Sequence, residues 1–193
     1  MFIDIAIPSG NEEEFIEKAK ALGTNGLIFL YEKDDKKNLE KIKKLTSKDF
    51  KVFSAVIDKM SPKYDFIFSK GERQYFENKK IDVIFNLENN FKKDKHHYRN
   101  SGLNQVLCSL AKENKITLGF NFNLILKSED SEMMVGRMKQ NVHMSKKYKV
   151  KMLIASFAKK PAELRYWSDL ISFGIILGMN PKIAKDAVLN RKV

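Results

Sequence analysis

The chain has 193 residues, 43% hydrophobic and 31% charged, which suits one globular domain with a substantial core and excludes a disordered polymer. Its formal net charge of +12 and isoelectric point of about 9.6 are the usual footprint of a nucleic-acid binder, and charge alone allows a polyanionic partner (RNA, DNA or an anionic membrane) and a plain lysine-rich solvent face about equally. Cys108 is the only cysteine, excluding an intrachain disulfide and a thiolate zinc site.

The elements alternate between strand and helix. Phe2 to Ile7 is apolar except for Asp4, as in a strand covered on both faces. Ser9 and Glu12 have capping-box spacing before a helix marked by Phe15, Ile16, Ala19 and Leu22 and ended by Gly23. Gly26 to Tyr31 is a second strand, Lys36 to Lys48 a lysine-rich helix and Val52 to Ile57 a third strand. Asp65 to Phe68 and Asp82 to Leu87 are two more strands, separated by a short helix over Glu72 to Asn78. A polar stretch, Glu88 to Ser101, precedes an amphipathic helix carrying Leu103, Val106, Leu107, Leu110 and Ala111. Ile116 to Phe120 is a strand, Glu129 to Lys147 a long helix and Met152 to Ala155 the last strand. Helices over Leu164 to Leu177 and Pro181 to Leu189 follow.

About seven strands separated by helices imply a parallel sheet with right-handed crossovers. A complete eight-unit barrel typically needs about 250 residues. The reading is therefore α/β, an irregular or incomplete TIM-like (β/α) barrel with flanking helices, in one domain over residues 1–193. A doubly wound open sheet is the alternative.

Ligands of parallel α/β folds meet the C-terminal ends of the strands. There the chain places Lys33, Lys59 and Lys70, then Lys92, Lys93, Lys95, His96, His97 and Arg99, then Lys159 and Lys160. This rim suits phosphates, because ammonium groups act as point charges on them and arginine adds forked contacts. Arg occurs only at 73, 99, 137, 165 and 191, so these positions carry more weight than the abundant lysines. Tyr98 has the form of a base-stacking residue or of a loop anchor. His96 and His97 are adjacent and lack a third ligand at metal spacing, and Cys108 sits within an apolar helix face. Neither a Gly-x-Ser-x-Gly elbow nor a dinucleotide or P-loop glycine pattern occurs. Asp4 must be hydrogen-bonded or paired, as the partner of a buried donor or as a metal ligand.

The run His97 to Leu107, the strand Ile116 to Phe120, Leu124-Ile125-Leu126 and Arg137-Met138-Lys139-Gln140-Asn141 together resemble the ribonuclease P protein component 3 family, which includes the thirty-kilodalton subunit of the eukaryotic enzyme. Ile154 to Ala158, Leu164-Arg165, Asp169-Leu170 and Leu177-Gly178-Met179 are similar to that family's C-terminal succession, and Asp4 and Asp82-Val83 also agree. Gln105, Ala155 and Phe157 depart from the pattern. The resemblance implies a barrel related to phosphoesterases of the polymerase-and-histidinol-phosphatase type. Those carry a His-x-His pair on the first strand, where this chain reads Asp4-Ile5-Ala6-Ile7.

The resemblance further implies a non-catalytic subunit of archaeal-type ribonuclease P. Such a subunit binds ribonuclease P RNA and precursor tRNA, pairs with protein component 2 in a heterotetramer, and supports removal of the 5′ leader. It holds no cofactor or metal of its own; magnesium belongs to the RNA. Lys95, His96, Arg99, Lys159, Lys160 and Arg165 are the expected RNA contacts, with Arg165 alternatively paired to Asp4 or Asp169. The alternative functions are a metal-dependent phosphoesterase on the same barrel, and a barrel enzyme for a small phosphorylated substrate. No apolar run reaches the roughly 18 residues of a membrane span, and Met1-Phe2-Ile3-Asp4 lacks a signal-peptide pattern, so no membrane and a cytoplasmic location are expected.

Overall fold

The computed structural model describes residues 1–33, 36–90 and 93–189; Lys92 and Arg191 lie outside the described residues. Seven parallel strands run in sequence order: β1 (Ile3–Ala6), β2 (Gly26–Tyr31), β3 (Lys51–Ile57), β4 (Phe66–Ser69), β5 (Val83–Phe85), β6 (Thr117–Asn121) and β7 (Met152–Ala155). The order never reverses, which rules out the doubly wound sheet. Beyond β7 the chain returns to β1. Ile7 N–H donates to the Ala158 carbonyl at 2.7 Å, and Ala158 N–H donates to the Ile5 carbonyl at 3.1 Å. These two bonds do the work of a missing eighth strand and nearly close the barrel.

The helices are α1 (Glu12–Ala21), α2 (Lys36–Leu45), α3 (Arg73–Phe76), α4 (Gln105–Glu113), α5 (Phe122–Lys127), α6 (Ser131–Tyr148), α7 (Trp167–Ile176) and α8 (Pro181–Leu189). The apolar strand runs divide at period two, as strands buried on both faces require. Ile3, Ile5, Ile28, Leu30, Ala55, Phe68, Phe85 and Leu153 fill the barrel interior. Leu27, Phe29 and Val56 pack outward under α1 and α2, and Phe120 and Ile154 under α6, α7 and α8. Two Phe rings cap the interior: Phe85 and Phe157 lie parallel, 4.9 Å between centroids.

Asp4 sits on the outer face of β1 and is almost completely buried. One carboxylate oxygen accepts from the Ser156 N–H at 2.8 Å, and the other accepts from the Ser156 hydroxyl at 2.5 Å. The carboxylate therefore stitches the β1–β7 seam, the role of a buried structural partner. Asp82 does the same on a smaller scale: it precedes β5 and accepts from Ile67 N–H at 2.7 Å.

One local expectation is corrected, and one element is new. Ser9 does not cap α1; Asn11 occupies that position, and its side chain turns back to accept from Ser9 N–H. Leu124-Ile125-Leu126 belongs to a short helix, α5, which the apolar run did not reveal because six residues are too few to display helical period. It starts there because the Asn121 side chain accepts from Leu124 N–H at 3.1 Å.

Candidate nucleic-acid interface

The loop after β5 presents Lys95, His96, His97, Tyr98 and Arg99 to solvent. A tight turn from Lys95 N–H to the Tyr98 carbonyl shapes it. Its base is held by side chains. Asp94 accepts from Asn100 N–H at 2.9 Å and from Arg137 Nε at 2.7 Å. Arg137 reaches from α6, is fully buried, and also donates to the Glu88 carbonyl at 2.7 Å. One turn further along α6, Asn141 donates to Glu88 Oε1 at 2.7 Å and to the Ser101 carbonyl at 2.8 Å. Arg99 itself lies against Gly136, where a Cβ would stand 2.7 Å from its Nε. Gly102 makes the return possible: its φ is +80°, and a Cβ there would meet the Leu87 carbonyl oxygen at 2.5 Å.

Burial pushes the Glu88 carboxyl up to about 7, against the lowering effect of Asn141 and Arg137. Glu88 Oε2 is buried with no hydrogen-bond partner among the described residues, an environment that suits the neutral acid. Asp94 goes the other way. Burial opposes ionisation, but the hydrogen bonds from Arg137 and Asn100 outweigh it and hold the group below the usual carboxylate range.

The loop after β7 is shorter and locally tied. Lys159 and Lys160 are exposed, and their backbone N–H groups donate to Glu163 Oε2 at 2.8 and 3.3 Å. Glu163 Oε1 takes Lys127 Nζ of α5 at 2.6 Å. Arg165 donates its backbone N–H to the Ser156 hydroxyl at 3.0 Å, so it hangs on the same seam as Asp4. Its guanidinium lies 5.5 Å over the Phe122 ring, a cation–π contact. The stretch thus places Lys159, Lys160 and Arg165 on one side of the barrel's C-terminal end, with Lys95, His96 and Arg99 following β5 at the same end.

Between the two loops the strand ends enclose a cavity of about 300 Å³. Every strand contributes to its wall, from Ile7 after β1 to Phe157 after β7. Its polar lining is asparagine (Asn86, Asn89, Asn90, Asn121, Asn123) and lysine (Lys70, Lys127, Lys159), with Glu32. Asn121 Nδ2 donates to Asn86 Oδ1 at 3.0 Å, and Asn90 Nδ2 donates to the Lys70 carbonyl at 3.1 Å. Asn86 and Phe157 have φ of +58° and +50°. Asparagine tolerates that region; for phenylalanine it is strained, and it accompanies the Phe157 ring capping the barrel interior. A larger, mainly apolar cleft of about 980 Å³ opens at the opposite, N-terminal end of the strands and runs to Leu189, where the described residues stop.

Sequence reasoning had placed the cationic loops but missed two features. The asparagines lie more than thirty residues apart in two groups, after β5 and at the end of β6, and only the ring of strand ends collects them. Arg137, one of the five arginines given more weight than the lysines, is buried structure, and its i, i+4 spacing with Asn141 was the available signal. Of the other arginines, Arg73 pairs with Glu77 on the surface of α3. Cys108 is buried, and burial pushes its thiol up to about 11, which makes it unreactive packing.

The family described as RNase P subunit p30 matches residues 1–192. The chain belongs to this RNase P subunit family. Ribonuclease P protein component 3 of Methanosarcina mazei is 27% identical to it over 205 residues, covering 95% of this chain and 82% of that protein. The component 3 protein of Methanosarcina acetivorans is 29% identical over 92 residues, 47% of this chain and 38% of its own length. Among solved structures, a chain of archaeal ribonuclease P with mature tRNA superposes with a TM-score of 0.79 at 24% identity, over 96% of this chain and 86% of that one. Histidinol phosphate phosphatase from Lactococcus lactis, solved with zinc, L-histidinol and phosphate, superposes at 0.63 with 11% identity, over 95% of this chain and 93% of its own. Both likenesses show the barrel.

The phosphatase raises the question of a metal centre. Among the described residues of this subunit, Glu32 is the one carboxylate on the cavity wall, and no histidine lines it. Among the described residues no three His, Cys, Asp or Glu side chains are grouped to hold a metal ion. Amide and ammonium groups at this mouth do not fit a hard or borderline cation, which wants carboxylate and imidazole. Asp4, the strand carboxylate with the alternative of a metal ligand, is committed to Ser156 on the outer face of the barrel.

Proposed function

We propose that this ribonuclease P subunit is non-catalytic by itself and acts by binding the ribonuclease P RNA and its precursor-tRNA substrate, with removal of the 5′ leader performed by the RNA and its magnesium. The observation that carries the reading is a family match along the whole described chain, combined with a barrel mouth of amides and lysines where a phosphoesterase would need metal ligands. Lys95, His96 and Arg99 on one loop and Lys159, Lys160 and Arg165 on the other are the proposed RNA contacts. Lys95, Lys159 and Lys160 act on phosphates as exposed point charges. Arg165, half-buried over Phe122, contributes a positioned guanidinium. The partner is protein component 2, in a heterotetramer, and the compartment this role implies is the cytoplasm. No helix among the described residues is long and apolar enough to cross a membrane.

Reconstitution tests the reading. Cleavage of precursor tRNA by the ribonuclease P RNA is measured at low magnesium, with and without this chain and component 2. A rise in cleavage that needs this chain is expected. The reading is rejected by unchanged cleavage, or by RNA-independent phosphodiester hydrolysis from the purified chain with stoichiometric bound metal.

A further inference from the structure

The cavity at the barrel mouth has an unspent set of hydrogen-bonding groups, and their chemistry specifies a ligand. Asn86 lines the cavity and its Oδ1 is taken by Asn121, so what its side chain has left to offer a guest is its amide donors. Asn90 spends its Nδ2 on the Lys70 carbonyl and keeps its oxygen as an acceptor. Asn89 is exposed at the wall and offers both donors and an acceptor. Asn123 spends its Nδ2 on the carbonyls of Ser156 and Glu163, at 2.7 and 3.1 Å, so its amide orientation is settled. Its buried Oδ1 has no partner among the described residues. Lys70 and Lys159 add positive charge at the rim.

A simple anion such as phosphate would use the lysines and leave the amide acceptors unmatched. A neutral sugar or base would leave the lysines unmatched. A molecule with an anionic group at one end and a mixed donor–acceptor edge at the other satisfies both. Asparagine amides pair in this way with nucleobase edges, and ammonium groups with phosphates. The volume, about 300 Å³, stands at the small end of ligand clefts, which run from roughly 300 to 1,000 Å³, and so admits one such unit rather than a chain. The Phe85–Phe157 pair closes the floor and confines the guest to the mouth.

We propose that the barrel mouth is a binding site for a single ribonucleotide unit, with the phosphate on Lys70 and Lys159 and the base or ribose edge on the asparagines. The unit is a free nucleoside 5′-monophosphate or one nucleotide of an RNA strand splayed from its neighbours; the chemistry is shared. The proposal deepens the RNA-binding reading and adds a site distinct from Lys95, His96 and Arg99 on the exposed loop.

The test titrates the full chain with each of the four ribonucleoside 5′-monophosphates, with the matching nucleosides, with inorganic phosphate and with a short single-stranded oligoribonucleotide. Affinity is read by calorimetry, and the side-chain amide signals of asparagine by NMR. At least one monophosphate, or the oligoribonucleotide, is expected to bind saturably and shift the cavity asparagines, at least tenfold more tightly than phosphate or nucleoside. Lys70→Glu with Asn89→Asp, both exposed and harmless to folding, is expected to weaken that binding at least tenfold. Lys182→Ala with Lys185→Ala, exposed on α8 and outside both proposed sites, leaves mononucleotide binding unchanged. Response to the monophosphate identifies a free nucleotide as the source; response to the oligoribonucleotide alone identifies an RNA strand. The site is overturned if neither shifts the cavity asparagines, if nucleoside or phosphate binds as tightly as nucleotide, or if the Lys70/Asn89 variant binds like the parent. Cleavage in the reconstituted assembly is a separate readout, so the site can fall while the subunit reading stands.

Discussion

The two cationic loops at the barrel mouth are held by opposite means. The loop after β7 is tied by neighbours in sequence: Glu163 gathers the Lys159 and Lys160 backbone, and Ser156 holds Arg165. The loop after β5 is held across more than forty residues of chain by Arg137, a fully buried charge bonded to Asp94 and to the Glu88 carbonyl. Local hydrogen bonds at the surface each contribute about 1 kcal/mol, while breaking a buried ion pair by removing one partner costs about 3–5 kcal/mol. The long loop therefore depends on a buried charge of the core for its shape, whereas the short loop combines local bonds with anchors from Asp4 and Asn123.

That contrast can be broken most directly at Arg137. Arg137→Met should destabilise the fold by about 3–5 kcal/mol in urea melts, because Asp94 loses its partner and the Glu88 carbonyl its donor. A loss below about 1 kcal/mol would mean that the bolt is not structural. On the other loop Asp4→Ala should cost about 2–3 kcal/mol, since the Ser156 N–H and hydroxyl lose a buried charged acceptor. Hydrogen exchange should then rise at Ser156 and Ala158 before it rises at Asp94, and the reverse order would erase the distinction between the loops.

Acidity sharpens the comparison. The Glu88 carboxyl is raised from its ordinary 4.5 to about 7, so the folded protein holds a proton the unfolded chain releases. Its stabilising contribution is complete below pH 4.5 and is lost as the pH rises towards 7. Wild-type stability relative to Glu88→Gln should fall across that window, as measured by denaturant midpoints at pH 5 and pH 8. Equal differences at the two values would show that Glu88 is ionised throughout.

At the surface, Lys95→Ala with His96→Ala and Arg99→Ala should change stability by less than about 0.5 kcal/mol. RNA affinity should fall, and the slope of log affinity against log salt should flatten by roughly 0.7–0.9 per lost phosphate contact. The smallest effect on RNA affinity is expected at Gly136. Gly136→Ala should gain up to about 1 kcal/mol of helix stability while displacing Arg99, so that RNA binding weakens as the melting temperature rises. Unchanged RNA binding in that variant would separate Arg99 from the interface.

Strands such as Gly26–Tyr31 and Met152–Ala155 were legible to the residue, because apolar runs bounded by polar residues have few other readings. The barrel class followed from their alternation with helices, and the cationic loops from their position after β5 and β7. α5 was not legible, since its start is set by the Asn121 side chain rather than by any periodic stripe. The mouth was not legible either: Asn86, Asn121 and Asn123 are ordinary polar residues until the strand ends bring them around one cavity.

The chain's own order of residues determined the repeating βα pattern, the excess of positive charge and the family, because these are properties of local periodicity, composition and motif succession. Tertiary structure alone decided that Asp4 closes the seam against Ser156, that Arg137 is a bolt and not a contact, and that scattered amides share a wall. Burial and pairing belong to groups distant in the chain, and their energies exist only once the barrel has brought them together.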